Sequence, residues 1–294
     1  SDQRPILVAA GFITVGLALK AAVFPLHVWL PNAYTYAPHA VSVFLAACAT
    51  KVSLYVLLRF DFVVFQGNLL HHDTQFAAFL MPLAVLAILV ASTVALFESN
   101  IKRLLAYSSV AQIGYIMLGA SMVSIPGLSA SLLHMFNHAL SKGALFLAVM
   151  CLSTRLNRLH LKDLAGAARR MPWTMAALLV AGLSLVGVPG TAGFVSKWYL
   201  LSAALQEGPL GILLVVVIVL GSLMAVVYLW RIVESAWFGV AAANPEQNTG
   251  GEASLSMLAL TWLAALANIW FGLASSIPRG LATDAATTLL RHLP

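Results

Sequence analysis

GLSASLLHMFNHALSKGALFLAVMCL, residues 127–152, is long and apolar enough to cross a bilayer, yet it carries His134, His138 and Lys142. On a helix, steps of four place those three groups on one stripe, each about 6 Å of rise from the next. A charged side chain at the bilayer centre costs at least ~2.5–3.5 kcal/mol, so ionisable groups in a span are read first as functional. Imidazole can pass a proton between its two nitrogens, which makes the stripe a candidate proton wire. Two other readings stay open. Polar side chains also join helices through interhelical hydrogen bonds. A metal site would use the same i, i+4 histidines, but no third ligand lies nearby in the sequence.

Three more lysines fall inside apolar runs: Lys20 in ILVAAGFITVGLALKAAVF, Lys51 in AVSVFLAACATKVSLYVLL and Lys197 in GVPGTAGFVSKWYLL. Snorkelling to the interface is the alternative for a lysine near a helix end. Mid-span positions argue against it for Lys20 and Lys51, and a preceding Gly/Pro break argues against it for Lys197. No carboxylate is expected at comparable depth. His27 serves either as a structural histidine or as a relay member. Ser108, Ser109 and Gln112 can hold water beside the histidine stripe or bond neighbouring helices.

Composition agrees with a membrane chain. Of 294 residues, 61% are hydrophobic and 9% charged, with mean hydropathy +0.92, against roughly 25% charged in a soluble domain. The formal charge of +6 does not suggest nucleic acid, because the basic residues form no patch interleaved with aromatics. Cys48 and Cys151 both lie in apolar spans and need no role beyond small core residues. There is no phosphate-binding loop, dinucleotide fingerprint or cysteine set for an iron–sulfur cluster. No cofactor or metal is therefore assigned, and no redox or ATP chemistry is visible in the chain itself.

Eight candidate spans follow, roughly 5–33, 39–60, 76–98, 101–124, 127–152, 172–206, 209–235 and 254–277, each about the 20 residues a bilayer needs or more. The first and sixth are too long. They break near Phe24-Pro25 and near Gly187-Val188-Pro189-Gly190, and backbone freed at membrane depth must line protein or a cavity. Paired breaks of this kind point to inverted repeats, although direct similarity is slight (Ala22, Phe24 and Leu30 against Ala192, Phe194 and Leu200). The connection 153–171 holds Arg155, Arg158, Lys162, Arg169 and Arg170, five of the sixteen Lys/Arg residues. The positive-inside rule places it in the cytoplasm, together with Lys102, Arg103 and the Arg231 end of the seventh span. It can form a short amphipathic helix with Leu156, Leu159, Leu161 and Leu164 on one face. Residues 241–253 read as a plain polar loop. A start at Ser-Asp-Gln-Arg-Pro that plunges into an apolar run reads as the later part of a longer polytopic chain.

Four ordered motifs, KAAVFPLHVWLPNAYTYAPHAVSVFLAACATKVSLYVLLR, NIKRLLAYSSVAQIGYIMLG, HMFNHALSKGALFL and GVPGTAGFVSKWYLL, resemble the core of the antiporter-like membrane subunits. These occur in respiratory complex I, membrane-bound hydrogenases and multi-subunit Mrp cation/proton antiporters. The likeness runs from about residue 5 to 235, and the wording WLPNAYTYAP and GFVSKW resembles the D-type Mrp subunit. It implies an all-α polytopic membrane protein of about eight transmembrane helices, two of them broken, within a fourteen-helix inverted-repeat fold. Residues 1–60 would carry the last two helices of the first repeat, 76–235 the second five-helix repeat, and 236–294 a polar loop and closing helix.

By the same resemblance, Lys20 matches the broken-helix lysine of the first half-channel and Lys51 the linking lysine. His134, His138 and Lys142 match the central relay, and Lys197 the exit-side residue of the second break, where some members have Glu. The family's glutamate that pairs with the Lys20-type lysine lies upstream of this sequence. The implied function is proton translocation, or cation/proton antiport, as a subunit of a larger complex in a prokaryotic-type cytoplasmic membrane. Its partners would be other membrane subunits, lipid and protons, with Na⁺ as an open alternative. A non-conducting structural subunit of a redox complex such as NADH:quinone oxidoreductase or hydrogenase is the competing expectation, and a quinone- or hydrogenase-linked enzyme subunit the third.

Overall fold

The computed structural model describes residues 4–64, 73–239 and 251–291. The described residues are helical throughout, with one isolated β-bridge between Asn100 and His160. In chain order the helices are α1 (Arg4–Ala21), α2 (Trp29–Tyr36), α3 (His39–Val64), α4 (Asp73–Phe97), α5 (Ile101–Ser121), α6 (Ile125–Ser153), α7 (Pro172–Val186), α8 (Ala192–Ala204), α9 (Pro209–Phe238), α10 (Leu255–Leu273) and α11 (Ser276–Leu290). Six of them, α3, α4, α5, α6, α9 and α10, are long and apolar enough to cross a membrane. The expected first and sixth spans are each split into two shorter helices, α1/α2 and α7/α8, around the anticipated breaks.

α5 is the axis of the bundle. All of it except Arg103 and Tyr107 is buried, and a helix buried on every face must be packed on every face. Small residues bring its neighbours close. A Cβ on Gly114 would lie 2.9 Å from the Ala84 carbonyl of α4, and one on Gly119 would lie 2.8 Å from the Gly127 carbonyl of α6. Such approaches are how helices associate where no hydrophobic effect separates lipid from protein. Starts are set by capping: Asn100 Oδ1 accepts the N–H groups of Lys102 and Arg103, and Ser124 Oγ accepts that of Gly127. The outward faces of α9 and α10 carry bare Leu213, Leu223, Trp230, Leu263 and Trp270, as lipid-facing surfaces do.

The two breaks use one backbone device. At the first, Ala22 is left-handed (φ 56°) and the Val23 N–H reaches back to the Ala18 carbonyl at 2.9 Å. At the second, Gly187 is left-handed (φ 93°) and the Val188 N–H reaches the Leu183 carbonyl at 3.1 Å. Both are six-residue helix-terminating turns of the Schellman kind. The lysines, however, sit on opposite sides of their breaks: Lys20 two residues before the left-handed residue, Lys197 ten after it.

Two expectations need correction. The stretch after 277 holds a further helix, α11, with Ala282, Ala286 and Leu289 turned inward. The connection 153–171 is not one amphipathic helix. It forms a 3₁₀ turn over Leu161–Leu164 and one helical turn over Ala167–Arg170, with its leucines buried against protein. Residues 241–250 of the expected polar loop lie outside the described residues. Glu252, within the same stretch, has a defined place. Its carboxylate accepts the Trp173 N–H at 2.6 Å and the Thr174 hydroxyl at 2.6 Å at the N-terminus of α7, where a negative charge complements the helix dipole.

Candidate proton-path site

α6 brings its stripe against α5, and the antiparallel run of the two helices pairs their polar residues in reverse order. Lys142 is fully buried; its ammonium donates to the Leu105 carbonyl at 2.7 Å and to Ser108 Oγ. Two turns away, His134 Nε2 lies 2.8 Å from Gln112 Oε1, and its Nδ1 lies 2.9 Å from Ser196 Oγ on α8. His138 sits between them, buried, with its ring parallel to that of His134 at 6.3 Å. Neither of its nitrogens has a hydrogen-bond partner among the described residues.

Lys51 approaches from α3. That helix contains a π-turn over Leu45–Ala49, and such turns shift the ladder and leave a carbonyl short of its usual N–H. The Lys51 ammonium takes the Ala46 carbonyl within this turn and lies 3.3 Å from Thr50 Oγ1. α6 packs here at Gly143, facing Ala47, so the π-turn abuts the Lys142 end of the stripe.

Lys197 closes the other end. The last turn of any helix leaves carbonyls unpaired and carries the negative end of its dipole. The Lys197 ammonium answers both at the end of α7, donating to the Leu185 carbonyl at 3.1 Å and the Val186 carbonyl at 2.8 Å, with Ser222 Oγ of α9 at 3.1 Å. It also lies 5.0 Å from the centre of the Tyr115 ring, and that ring meets His134 edge-on at 5.6 Å. Tyr115 thus stands between the histidine stripe and Lys197. A cavity of about 240 Å³ lined by Gly187, Lys197, Trp198 and Ser222 opens beside the lysine.

The structure therefore gathers Lys51, Lys142, His138, His134 and Lys197 with Ser108 and Gln112, and leaves others out. Lys20 lies on an exposed face of α1, where the sequence suggested a buried position. Ser109 bonds the Leu105 carbonyl of its own helix at 3.0 Å and does not reach the stripe. His27 is half-buried, stacked on Phe24 at 5.2 Å. One carboxylate, Asp61, is buried near the end of α3, ten residues beyond Lys51. The span runs on past residue 60 to Val64, and α1 covers Asp61, whose Oδ1 accepts from Thr14 at 3.4 Å.

Sequence reasoning missed Ser196, Ser222, Tyr115 and a polar knot that ties the second break to α6. Ser141 donates to Asn268 Oδ1 at 2.7 Å and accepts from the Ser184 hydroxyl at 3.0 Å, and Asn137 donates to the Ala192 carbonyl at 2.6 Å. Lone serines and an asparagine in apolar helices carry no periodic signal, so only tertiary contact reveals them.

The family model described as NADH:quinone oxidoreductase/Mrp antiporter, TM, matches residues 2–225. NADH-quinone oxidoreductase subunit N of Desulforudis audaxviator is 40% identical over 243 residues, covering 80% of this chain and 46% of the relative. Subunit M of Rickettsia prowazekii is 32% identical over 230 residues, covering 77% and 45%. A chain of the membrane-bound sulfane sulfur reductase, an archaeal respiratory membrane complex, superposes with a TM-score of 0.84 at 30% identity, over 98% of this chain and 57% of that one. The Mrp complex from Dietzia sp. gives 0.83 at 24% identity, over 96% and 59%, a likeness of fold. The chain spans about half the length of the curated relatives it matches.

Proposed function

This chain belongs to the NADH:quinone oxidoreductase/Mrp antiporter transmembrane family, and from that premise we propose that it forms part of the proton-translocating machinery of a multi-subunit membrane complex. The observation that carries the reading is the buried row Lys51, Lys142, His138, His134 and Lys197, linked by Ser108, Gln112, Ser196 and Tyr115 across four helices. A proton arriving at one lysine changes the field at the next. At ~8 Å and an effective dielectric of ~20, one unit charge is worth about 2 kcal/mol, enough to drive a proton off a poised neighbour. His138, with no hydrogen-bond partner among the described residues, is the step that water must bridge. Its neighbours hold direct bonds, which orient them.

Transport in this reading runs from Lys51 through α6 to Lys197 and the cavity beside it. Lys20, on an exposed face of α1, is kept in the path on the motif it shares with the family. The 1–60, 76–235 and 236–294 division is proposed on the same footing, supported by the common terminating turn of the two breaks. The chain has no redox centre of its own in this reading and acts as a transporter subunit. The basic connection 153–171 faces the cytoplasm.

A structural reading also has an observation behind it, since Lys197 caps α7 as well as facing the row. Lys197→Arg separates the two. Arginine keeps the positive charge and donors but does not release a proton in proteins. In the assembled complex we expect Lys197→Ala and Lys197→Arg both to abolish ion pumping, with the Arg variant assembling as the parent does. Normal pumping by Lys197→Arg would remove Lys197 from the path.

A further inference from the structure

The ends of several helices meet at one pole of the bundle and leave a polar cavity of about 690 Å³ outside the proton row. It is lined by the turn joining α2 to α3, the start of α5, and the chain that leaves α6. Four basic side chains border it: His39, Lys102, Arg158 and His160. No carboxylate is among the described residues that line it. Two acids lie near it in sequence without lining it. Glu98 pairs with Arg103 at 3.2 Å, and Asp163 Oδ2 accepts the His160 backbone N–H at 3.3 Å. Lys102 is anchored through one bond to the Ala37 carbonyl at 2.8 Å, and an ammonium has three donors. Tyr36 stands at the rim, 81% exposed.

We propose that this cavity binds the phosphate headgroup of an anionic phospholipid. Four cationic or donor groups in a described lining without a carboxylate define an anion site. Its place at the ends of membrane-spanning helices puts it at the depth of lipid phosphates rather than of free solutes. Basic pockets between transmembrane helices on the side rich in Lys and Arg are suited to such headgroups, and the cytoplasmic leaflet supplies the anionic lipid. An exposed tyrosine at the rim is the side chain that sits at headgroup level. A bound headgroup would tie the α2–α3 turn to the 153–160 chain.

The test uses the intact complex containing this chain, in mild detergent, with a photoreactive phosphatidylglycerol and peptide mass spectrometry. Crosslinks are expected in the peptides around 35–39 and 153–160. They should survive excess phosphatidylcholine and millimolar inorganic phosphate, and fall several-fold in Arg158→Gln and in His39→Gln. Both substituted residues lie outside the proton row, so ion pumping with ample lipid is expected to continue. Crosslinking that phosphatidylcholine competes away equally, or that both variants leave unchanged, would overturn the proposal. Competition by inorganic phosphate alone would also overturn it, in favour of a free-anion site.

Discussion

At the scale of the residue, His138 is the member of the row whose nitrogens have no hydrogen-bond partner among the described residues. Buried polar groups without partners are rare because the loss of hydration is uncompensated. His134, by contrast, is fixed at both nitrogens by Ser196 and Gln112. The two histidines look equivalent in the sequence, and their difference rests on what α5 and α8 place opposite them. His138→Gln keeps polarity and much of the volume but cannot relay a proton. Transport in this variant should drop strongly while thermal stability stays near the parent's, since the His138 ring holds no hydrogen bond to the described residues that the substitution could remove. Proton-flux assays on the assembled Gln and Ala variants check this. Full flux in the Gln variant would route the path from Lys142 past His138.

At the scale of the element, the second break is a functional part because a helix end and a lysine share it. Gly187 has φ 93°, and a Cβ there would lie 2.9 Å from the Lys197 side chain; Gly190 has φ 89° with open space around it. Forcing a left-handed residue to carry a Cβ costs roughly 1–2 kcal/mol at either position. Gly187→Ala should therefore lower both thermal stability and transport, and Gly190→Ala stability alone. Equal transport in the two variants would show that the position of Lys197 does not depend on this turn. At the other end of α7, Glu252 holds two N-terminal groups. Glu252→Gln removes a charge at a helix N-terminus and should cost about 0.3–1 kcal/mol in thermal unfolding, more at low than at high salt.

At the scale of the molecule, the basic residues collect at one pole. Arg231 donates to the Leu96 and Glu98 carbonyls, Arg155 to the Glu252 carbonyl, and Lys102 to Ala37, so the ends of α2, α4, α6 and α9 share a side with the start of α5. That common pole is what the Lys/Arg distribution assigns to the cytoplasm. A cysteine introduced at Asn157, which is exposed there, should react with an impermeant thiol reagent only after the cells are opened. Reaction in intact cells would reverse the orientation and the direction of the path.

The number and spacing of apolar runs, the two Gly/Pro interruptions and the i, i+4 stripe of α6 were readable from residue order. Apolar length and helical period are local properties that lipid enforces on any spanning segment. Burial depth and partners were not readable, because they depend on which faces meet. Lys20 reads as deep as Lys51 in the sequence, yet one lies on an exposed face and the other is buried with its ammonium on the Ala46 carbonyl of the π-turn. Asp61 reads as a span end, yet α1 closes over it. The serines that complete the row, Ser196 and Ser222, come from α8 and α9, far along the chain from the histidines they serve. Packing of the broken helices against α5 and α6 decided those contacts, since a hydrogen-bond partner is set by distance in space and leaves no periodic mark in the chain.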